Sequence, residues 1–171
     1  MQTGPEIRSA SLGLLKGMPH RVLAGNLLAY CVVDLPEHMA PLYDSELEVL
    51  GIGQEKLWAK AFENLRRREF RFRYFAGQVG QVMQEDVYVS SLFIDEQFWE
   101  TVERKCGGEH LAMIPCWNML VFIHPDSDHL AEMIKRCADI FSEDSAAISA
   151  DVFCRRNGAW QVWPVPNHLK P

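Results

Sequence analysis

The sequence has few of the features that would place it outside a reducing cell interior. Its first residues contain no basic segment followed by an apolar one, so no secretory signal is visible. Its longest apolar runs are far shorter than the roughly 20 residues of a membrane-spanning helix. Its five cysteines are odd in number, scattered and without a C-x-x-C pair, unlike a disulfide framework or a zinc site. We therefore predict a soluble cytoplasmic protein with no membrane contact, no metal and no cofactor.

Basic residues are also scarce, since 17 Lys and Arg stand against 23 Asp and Glu, for a net charge of −6. Nucleic-acid binding depends on basic patches that neutralise phosphates, so this balance argues against a nucleic-acid partner. The acidic excess either keeps the protein in solution, which we favour, or serves a basic partner. Apolar residues make up 48% of the chain and aromatic residues 11%, enough for one sizeable core.

Catalytic and phosphate-binding motifs are missing as well. Ser90-Ser91 has no G-x-S-x-G elbow around it, and the glycine pairs extend into neither a P-loop nor a dinucleotide fingerprint. His124 and His129 flank two aspartates, but this pattern is typical of a helix N-terminus, so we interpret it as capping rather than metal binding. Cys116 has no neighbouring base in sequence, which favours a buried structural thiol over a nucleophile.

What the sequence does contain is an alternation of helical and strand patterns. Periodicity and turn signals predict helices at Gln54–Glu69, at Asp95–Lys105 and from Asp126 or Ser127 to Phe141. They predict strands at Leu27–Asp34, Phe70–Phe75, Val79–Gln84, Val87–Ser91, Leu111–Ile114 and Met119–His124. A last hairpin joins Val152–Arg156 to Ala159–Trp163 through Asn157-Gly158, the residues that favour a type I′ turn. This register sets Arg155 opposite Trp160, a plausible cation–π or stacked pair.

Short links between the strands indicate hairpins, and hairpin strands are antiparallel. The predicted fold class is therefore α+β, a mostly antiparallel sheet with about three packed helices in a single domain. Residues 1–26 are rich in glycine and proline and are predicted to be an irregular N-terminal arm. Residues 27–163 form the predicted α+β domain, and residues 164–171 a loose C-terminal tail.

Several stretches resemble the bacterial YtpQ-like proteins of unknown function. They are Leu50–Leu65, Asp86–Ile94 with the Trp99-bearing helix after it, and Ile114-Pro115 with the strand, helix and Trp-containing hairpin that follow. The resemblance spans residues 27 to 163 and implies one α+β domain in a bacterial cytoplasm, without an established activity. Family members tend to carry an Arg-Asp pair after the proline, whereas this sequence has Trp117-Asn118. Any chemistry that relies on that pair would be lost or altered here.

The first candidate binding surface is the predicted hairpin tip at Trp117 and Asn118, with Asp86, Tyr88 and Ser91 beside it. An exposed tryptophan at such a tip suits a binding anchor, although packing in the core is an equally good interpretation of Trp117. The same polar residues, Asp86, Tyr88, Ser91 and Asn118, are the candidates for an enzyme site that converges only in three dimensions.

The second and weaker candidate is the basic stretch that includes Arg67, Arg71 and Arg73. Arginines at a helix C-terminus complement the helix dipole, which is the simpler interpretation, but they could also hold an anion.

We favour a non-catalytic intracellular protein-binding module, comparable to an immunity protein or an adaptor, with a protein partner. The alternatives are an enzyme of unknown class and an anion- or ligand-binding regulatory domain. The oligomeric state and the identity of the partner stay open at this point.

Overall fold

A computed structural model describes residues 2–9, 16–75, 78–82, 84–156 and 158–170. The chain divides into two compact units, Met1–Glu69 and Phe70–Pro171, which are described separately. The described residues form four α-helices and two antiparallel sheets. The predicted α+β class with mostly antiparallel strands is thus confirmed.

The first unit is built around one apolar strand. The strands are β1 (Gln2–Ser9), β2 (His20–Val22), β3 (Leu27–Asp34) and β4 (Met39–Pro41), and β1, β2 and β4 all pair antiparallel with β3. The predicted strand at Leu27–Asp34 is confirmed at the same bounds. Nearly every residue of β3 is buried, because neighbouring strands and a helix cover it.

The irregular N-terminal arm predicted for residues 1–26 is wrong for Gln2–Ser9, which forms β1 along the whole length of β3. Glycine and proline suggested a break in structure, but the backbone groups of a buried strand need partners and β1 supplies them. Pro5 is tolerated because β1 is an edge strand, where a missing N–H can face away from the ladder. The part of the predicted arm at residues 10–15 lies outside the described residues.

Two helices complete the first unit, α1 (Asp44–Leu50) and α2 (Gln54–Arg66). The predicted helix from Gln54 is confirmed as α2, and it packs on β1 and β3 through the stripe Leu57, Trp58, Ala61 and Leu65. The helix α1 was not predicted, because only Leu47 of its seven residues is buried and so no apolar period is visible. It ends at Gly51 in the left-handed conformation with φ of 63°.

The second unit contains a six-stranded antiparallel sheet in the order β10-β9-β7-β8-β6-β5. The strands are β5 (Phe72–Phe75), β6 (Val79–Val82), β7 (Leu111–Met113), β8 (Val121–Ile123), β9 (Phe153–Arg156) and β10 (Ala159–Val162). The predicted hairpins β5–β6, β7–β8 and β9–β10 are confirmed. Arg155 lies opposite Trp160 in the register of β9 and β10, as predicted.

Helices α3 (Glu96–Cys106) and α4 (Leu130–Glu143) belong to the two opposite faces of this sheet. In β8 the side chains of Val121 and Ile123 join a buried cluster with Leu130, Ile134 and Cys137 of α4. The intervening Phe122 instead contacts the rings of Phe98 and Trp99 of α3, with centroids 6.1 and 5.8 Å away. This alternation is the expected period of a strand covered on both faces.

Two predicted elements of the second unit differ from the structure. The predicted strand at Val87–Ser91 is a turn that leads into a 3₁₀ helix at Ser90–Ile94. The Asp86 carboxylate accepts the Tyr88 N–H at 2.9 Å, and this side-chain bond starts a turn instead of a ladder. The helix predicted from Asp126 or Ser127 begins at Leu130, because residues after His124 first form tight turns through Ser127.

The predicted loose tail at residues 164–171 is also wrong. Val165 and Leu169 pack against the cluster under α4, together with Trp163 just before them, and Asn167–Leu169 forms a 3₁₀ turn. The Trp163 N–H donates to the Val152 carbonyl at 2.8 Å, which continues the β9–β10 pairing. The Val165 and Leu169 side chains of this segment are half-buried against the core.

Gly80 in β6 is essential to the packing of Phe122. A Cβ atom built at Gly80 would lie 2.0 Å from Phe122 Cε2, so any side chain there displaces the ring. We expect Gly80→Ala to lower the free energy of unfolding by about 3 kcal/mol, measured by urea denaturation. Gly53→Ala is the control, since its Cβ meets nothing within 4 Å, and should cost less than about 1 kcal/mol. Equal losses in both variants would contradict the predicted clash.

Candidate functional site

The structure brings together the two segments of the predicted binding surface, residues 86–91 and 115–118, within the second unit. The Ser90 N–H donates to the Trp117 carbonyl at 3.2 Å, which joins the 86–91 segment to the link after β7. On the other side, the Ile148 N–H donates to the Pro115 carbonyl at 2.8 Å, and Cys116 pairs with Ala147 in an isolated bridge. The backbone of the Pro115–Asn118 link, called the tip below, is therefore held from both sides.

The side chains of the predicted surface do not all reach solvent. Trp117 is 36% exposed, whereas Tyr88 and Ser91 are 2% and 0% exposed and thus belong to the core beneath the tip. Asn118 is half-buried, and its Oδ1 accepts a hydrogen bond from Cys116 Sγ at 3.2 Å. Asp86 is half-buried and is engaged in the turn at Tyr88. Burial removes Tyr88 and Ser91 from any contact surface and leaves Trp117 as its main apolar group.

Two thiols of the second unit, Cys116 and Cys137, are poorly suited to nucleophilic chemistry. All five cysteines lie in the described part of the chain and are free thiols. Burial, followed by the nearby Asp144 carboxylate, raises the pKa of Cys116 to about 11. Burial also raises the pKa of Cys137 to about 12. A thiolate is the reactive form of cysteine, so these groups stay unreactive at neutral pH.

The arginines of the weaker candidate site are divided between the two units. Arg67, in the first unit, forms an ion pair with Glu63, which also binds Lys60 at 2.9 Å. Arg71 and Arg73 are exposed in the second unit, where the Arg71 backbone N–H donates to the Gln84 side chain at 2.7 Å. Anion binding by these side chains stays a prediction.

The histidines flanking the 126–128 turn have structural partners. The Asp126 N–H donates to His124 Nδ1 at 3.2 Å, and the His129 N–H donates to Ser127 Oγ at 3.2 Å. Over the residues that the structure describes, no group of three or more His, Cys, Asp or Glu side chains could hold a metal ion. None of the described helices has both the length and the apolar character needed to cross a bilayer.

The second unit also contains a half-open cavity of about 520 Å³ that the sequence did not reveal. It lies between α3, the loop after α3 and the β9–β10 hairpin. The residues that line it are Trp99, Glu103, Gly108, Glu109, His110, Arg155, Gly158 and Trp160.

Arg155 crosses from the hairpin to α3 at the wall of this cavity. Its Nη1 donates to Glu103 Oε1 at 3.2 Å, and its Nη2 pairs with Glu96. The side chain is only 17% exposed, and its buried Nε finds no hydrogen-bond acceptor among the described residues. Two ion pairs thus tie Arg155 to one face of α3, while the cation–π or stacked contact with Trp160 stays a prediction.

Tryptophan rings form the apolar wall of the cavity. Trp160 stacks on Phe93 with centroids 4.3 Å apart and an interplanar angle of 24°. Trp99 meets Trp160 edge to face at 4.9 Å, and its own Nε1 donates to the Phe93 carbonyl at 2.9 Å. Both rings are therefore held in fixed positions by packing and, for Trp99, by a hydrogen bond.

His110 is the buried titratable group of the cavity, with 7% of its surface exposed. Its Nε2 lies 3.2 Å from the Tyr74 hydroxyl. Burial lowers the pKa of His110 below its ordinary value of 6.5. A hydrogen bond with the Gly108 backbone opposes this shift, and the nearby His124 adds to it. The ring is therefore neutral at neutral pH.

Part of this site was visible in the sequence. The Asn-Gly turn predicted the Arg155–Trp160 register, and Glu96, Trp99 and Glu103 have the spacing that places side chains on one helix face. His110 gave no such signal, because the cavity that it lines is formed by residues far apart in sequence. Asn157 itself lies outside the described residues, so the predicted turn type is not assigned.

Comparisons of the chain with protein-family models, with curated proteins and with solved structures find no match. The resemblance to YtpQ-like proteins accordingly stays a prediction, and the function has to be argued from the geometry of the two sites.

The buried His110 makes stability depend on pH. The folded state disfavours the protonated ring, so the unfolded chain binds the proton more readily and stability is lost as pH falls below about 6.5. We expect His110→Phe to lose less stability than the unmodified protein between about pH 7.5 and about pH 5.5 in urea titrations. The exposed His168→Phe serves as the control and should keep the original pH dependence. Identical pH profiles for all three proteins would contradict the burial effect.

Proposed function

We propose that the chain is a non-catalytic protein-binding module of the immunity-protein or adaptor kind, whose second unit engages a basic partner through Trp117. The observation that carries the proposal is a large aromatic side chain, 36% exposed, on a backbone link bonded from both sides. Tryptophan at the centre of an interface is among the residues that contribute most to binding energy.

The fixed backbone of the tip supports this role. The carbonyls of Trp117 and Pro115 accept N–H groups from Ser90 and Ile148, and Asn118 is tied to Cys116. An anchor on such a backbone loses little conformational entropy when it binds. A flexible loop carrying the same tryptophan would lose more.

The charge distribution supports a basic partner. The second unit contains 14 acidic and nine basic residues, whereas the first contains nine and eight, so the second carries almost all of the net charge. No Lys or Arg occurs in residues 79–103, 106–134 or 137–154, the stretches that include the tip and the segments bonded to it. A basic surface would be attracted to this region, and its approach would be accelerated at low salt.

The alternative of an enzyme site built from Asp86, Tyr88, Ser91 and Asn118 has less support. Tyr88 and Ser91 are buried. Asp86 accepts the Tyr88 N–H within its own turn, and Asn118 accepts a hydrogen bond from Cys116 within the tip. Residence in a bacterial cytoplasm and membership of the YtpQ-like family stay predictions alongside this proposal. The ligand-binding alternative is supported by the cavity beside α3.

We expect a stoichiometric partner to be captured from extracts of the native host by the immobilised protein. Trp117→Ala should weaken the purified complex by about 30-fold or more, because an aromatic anchor is lost from the interface. Binding should also weaken with added salt. The measurement is titration calorimetry with the purified partner at two salt concentrations.

Phe141→Ala is the matched control, since Phe141 lies on α4 of the same unit and is also 36% exposed. Both variants remove a similarly exposed ring, so general destabilisation affects them alike, but Phe141→Ala should bind as the unmodified protein does. Capture of no partner, or equal binding by all three proteins, would contradict the proposal.

A further inference from the structure

The tip is bonded to two turns that repeat one hydrogen-bond pattern. In the first turn, the Asp86 carboxylate accepts the Tyr88 N–H at 2.9 Å, and the Asp86 carbonyl accepts the Val89 N–H at 3.2 Å. The next residue, Ser90, donates its N–H to the Trp117 carbonyl of the tip. An aspartate that starts a turn therefore fixes the segment that holds the tip.

The second turn has the same spacing. The Asp144 carboxylate accepts the Ala146 N–H at 2.7 Å, and the Asp144 carbonyl accepts the Ala147 N–H at 3.2 Å. The next residue, Ile148, donates its N–H to the Pro115 carbonyl at 2.8 Å. Both turns thus attach to the tip through the fourth residue after the aspartate.

A glutamate precedes the aspartate in each turn, so residues 85–90 and 143–148 each begin with a Glu-Asp pair and are called the acidic turns below. Glu85 and Glu143 are exposed, and neither forms an ion pair with a residue that the structure describes. The acidic turns themselves contain no Lys or Arg. Their glutamates can therefore pair with cations of a partner that docks on the tip.

The second Glu-Asp pair occupies a position that is unfavourable for the fold alone. Glu143 is the last residue of α4 and Asp144 follows it as the C-cap, and the last turn of the helix contains no basic residue. The C-terminal end of a helix carries partial negative charge, which repels carboxylates. A cationic partner relieves this repulsion, because it brings positive charge to the same end.

We infer that the acidic turns recognise a partner segment in which arginines stand on both sides of an apolar residue that packs on Trp117. The inference rests on the proposed function and names the chemistry of the segment. Because both acidic turns are bonded to the tip, a segment centred on Trp117 has carboxylates within reach of its arginines. Arginine suits this role, since its planar guanidinium can bind a carboxylate through two N–H groups.

The test is an NMR titration of the isotope-labelled full chain with the amidated peptide Arg-Arg-Ala-Leu-Ala-Arg-Arg. We expect shifts of the Trp117 indole N–H and of the backbone amides of the acidic turns, and weaker binding with added salt. The peptide with citrulline in place of arginine keeps the shape without the charge and should not bind. Serine in place of leucine should weaken binding by about fivefold, because the apolar contact with the indole is lost.

Charge reversal assigns the binding to the acidic turns. The double variant Glu85→Lys/Glu143→Lys should bind the peptide at least about tenfold more weakly, because two attractions become repulsions. Glu100→Lys/Glu109→Lys is the matched control, since both glutamates are exposed in the same unit and the net charge changes equally. At physiological salt, where distant charges are screened, the control should bind within about twofold of the unmodified protein.

Thermal unfolding separates recognition from a structural role of the second acidic turn. Glu143→Gln removes a carboxylate from the C-terminal end of α4, so its unfolding temperature should be no lower than that of the unmodified protein. Its affinity for the peptide should nevertheless fall by about twofold. A lower unfolding temperature with unchanged affinity would show that Glu143 serves the fold and would contradict the inference.

Three further results would each overturn the inference. They are the absence of shifts at the tip, equal binding of the arginine and citrulline peptides, and equal loss of affinity in the two double variants. The partner captured from the native host distinguishes this inference from the proposed function. If that partner requires Trp117 but binds both double variants equally, only this inference fails, whereas a partner that does not require Trp117 contradicts the proposed function as well.

Discussion

Edge-to-face packing of Phe122 holds α3 on the sheet of the second unit. The ring lies over Gly80, where no side chain competes for the space, and it contacts Phe98 and Trp99 of α3. It also meets the His110 ring with centroids 5.7 Å apart. A single strand residue therefore orients the helix, the start of the next strand and the wall of the cavity, because aromatic contacts of this kind fix both distance and angle.

The consequences extend from this packing to the β9–β10 hairpin. With α3 in place, Glu96 and Glu103 face the hairpin and bind Arg155 from the same side. Two carboxylates for one guanidinium leave Nε without an acceptor and make the surroundings acidic. The side chain that connects helix and hairpin thus also contributes charge to the wall of the cavity.

Local sequence signals predicted the elements whose partners are close in the chain. The β9–β10 hairpin, the strand at Leu27–Asp34 and the helix predicted from Asp95, whose carboxylate accepts the Gln97 N–H, are all of this kind. Elements that depend on distant partners were missed. Gln2–Ser9 becomes a strand only because β3 needs an edge partner, and residues 164–170 pack because Val165 and Leu169 meet the core. The cavity was out of reach for the same reason, since His110 and Arg155 are far apart in sequence.

The contact between Trp99 and Trp160 has an optical consequence. Two indole rings whose centroids lie 4.9 Å apart at an angle of 67° share their excited states, and this coupling splits the absorption into a pair of circular dichroism bands of opposite sign. One ring belongs to α3 and the other to the last hairpin. The protein therefore carries an intrinsic chromophore pair whose signal disappears when the hairpin separates from the helix, and no label is needed to follow that event.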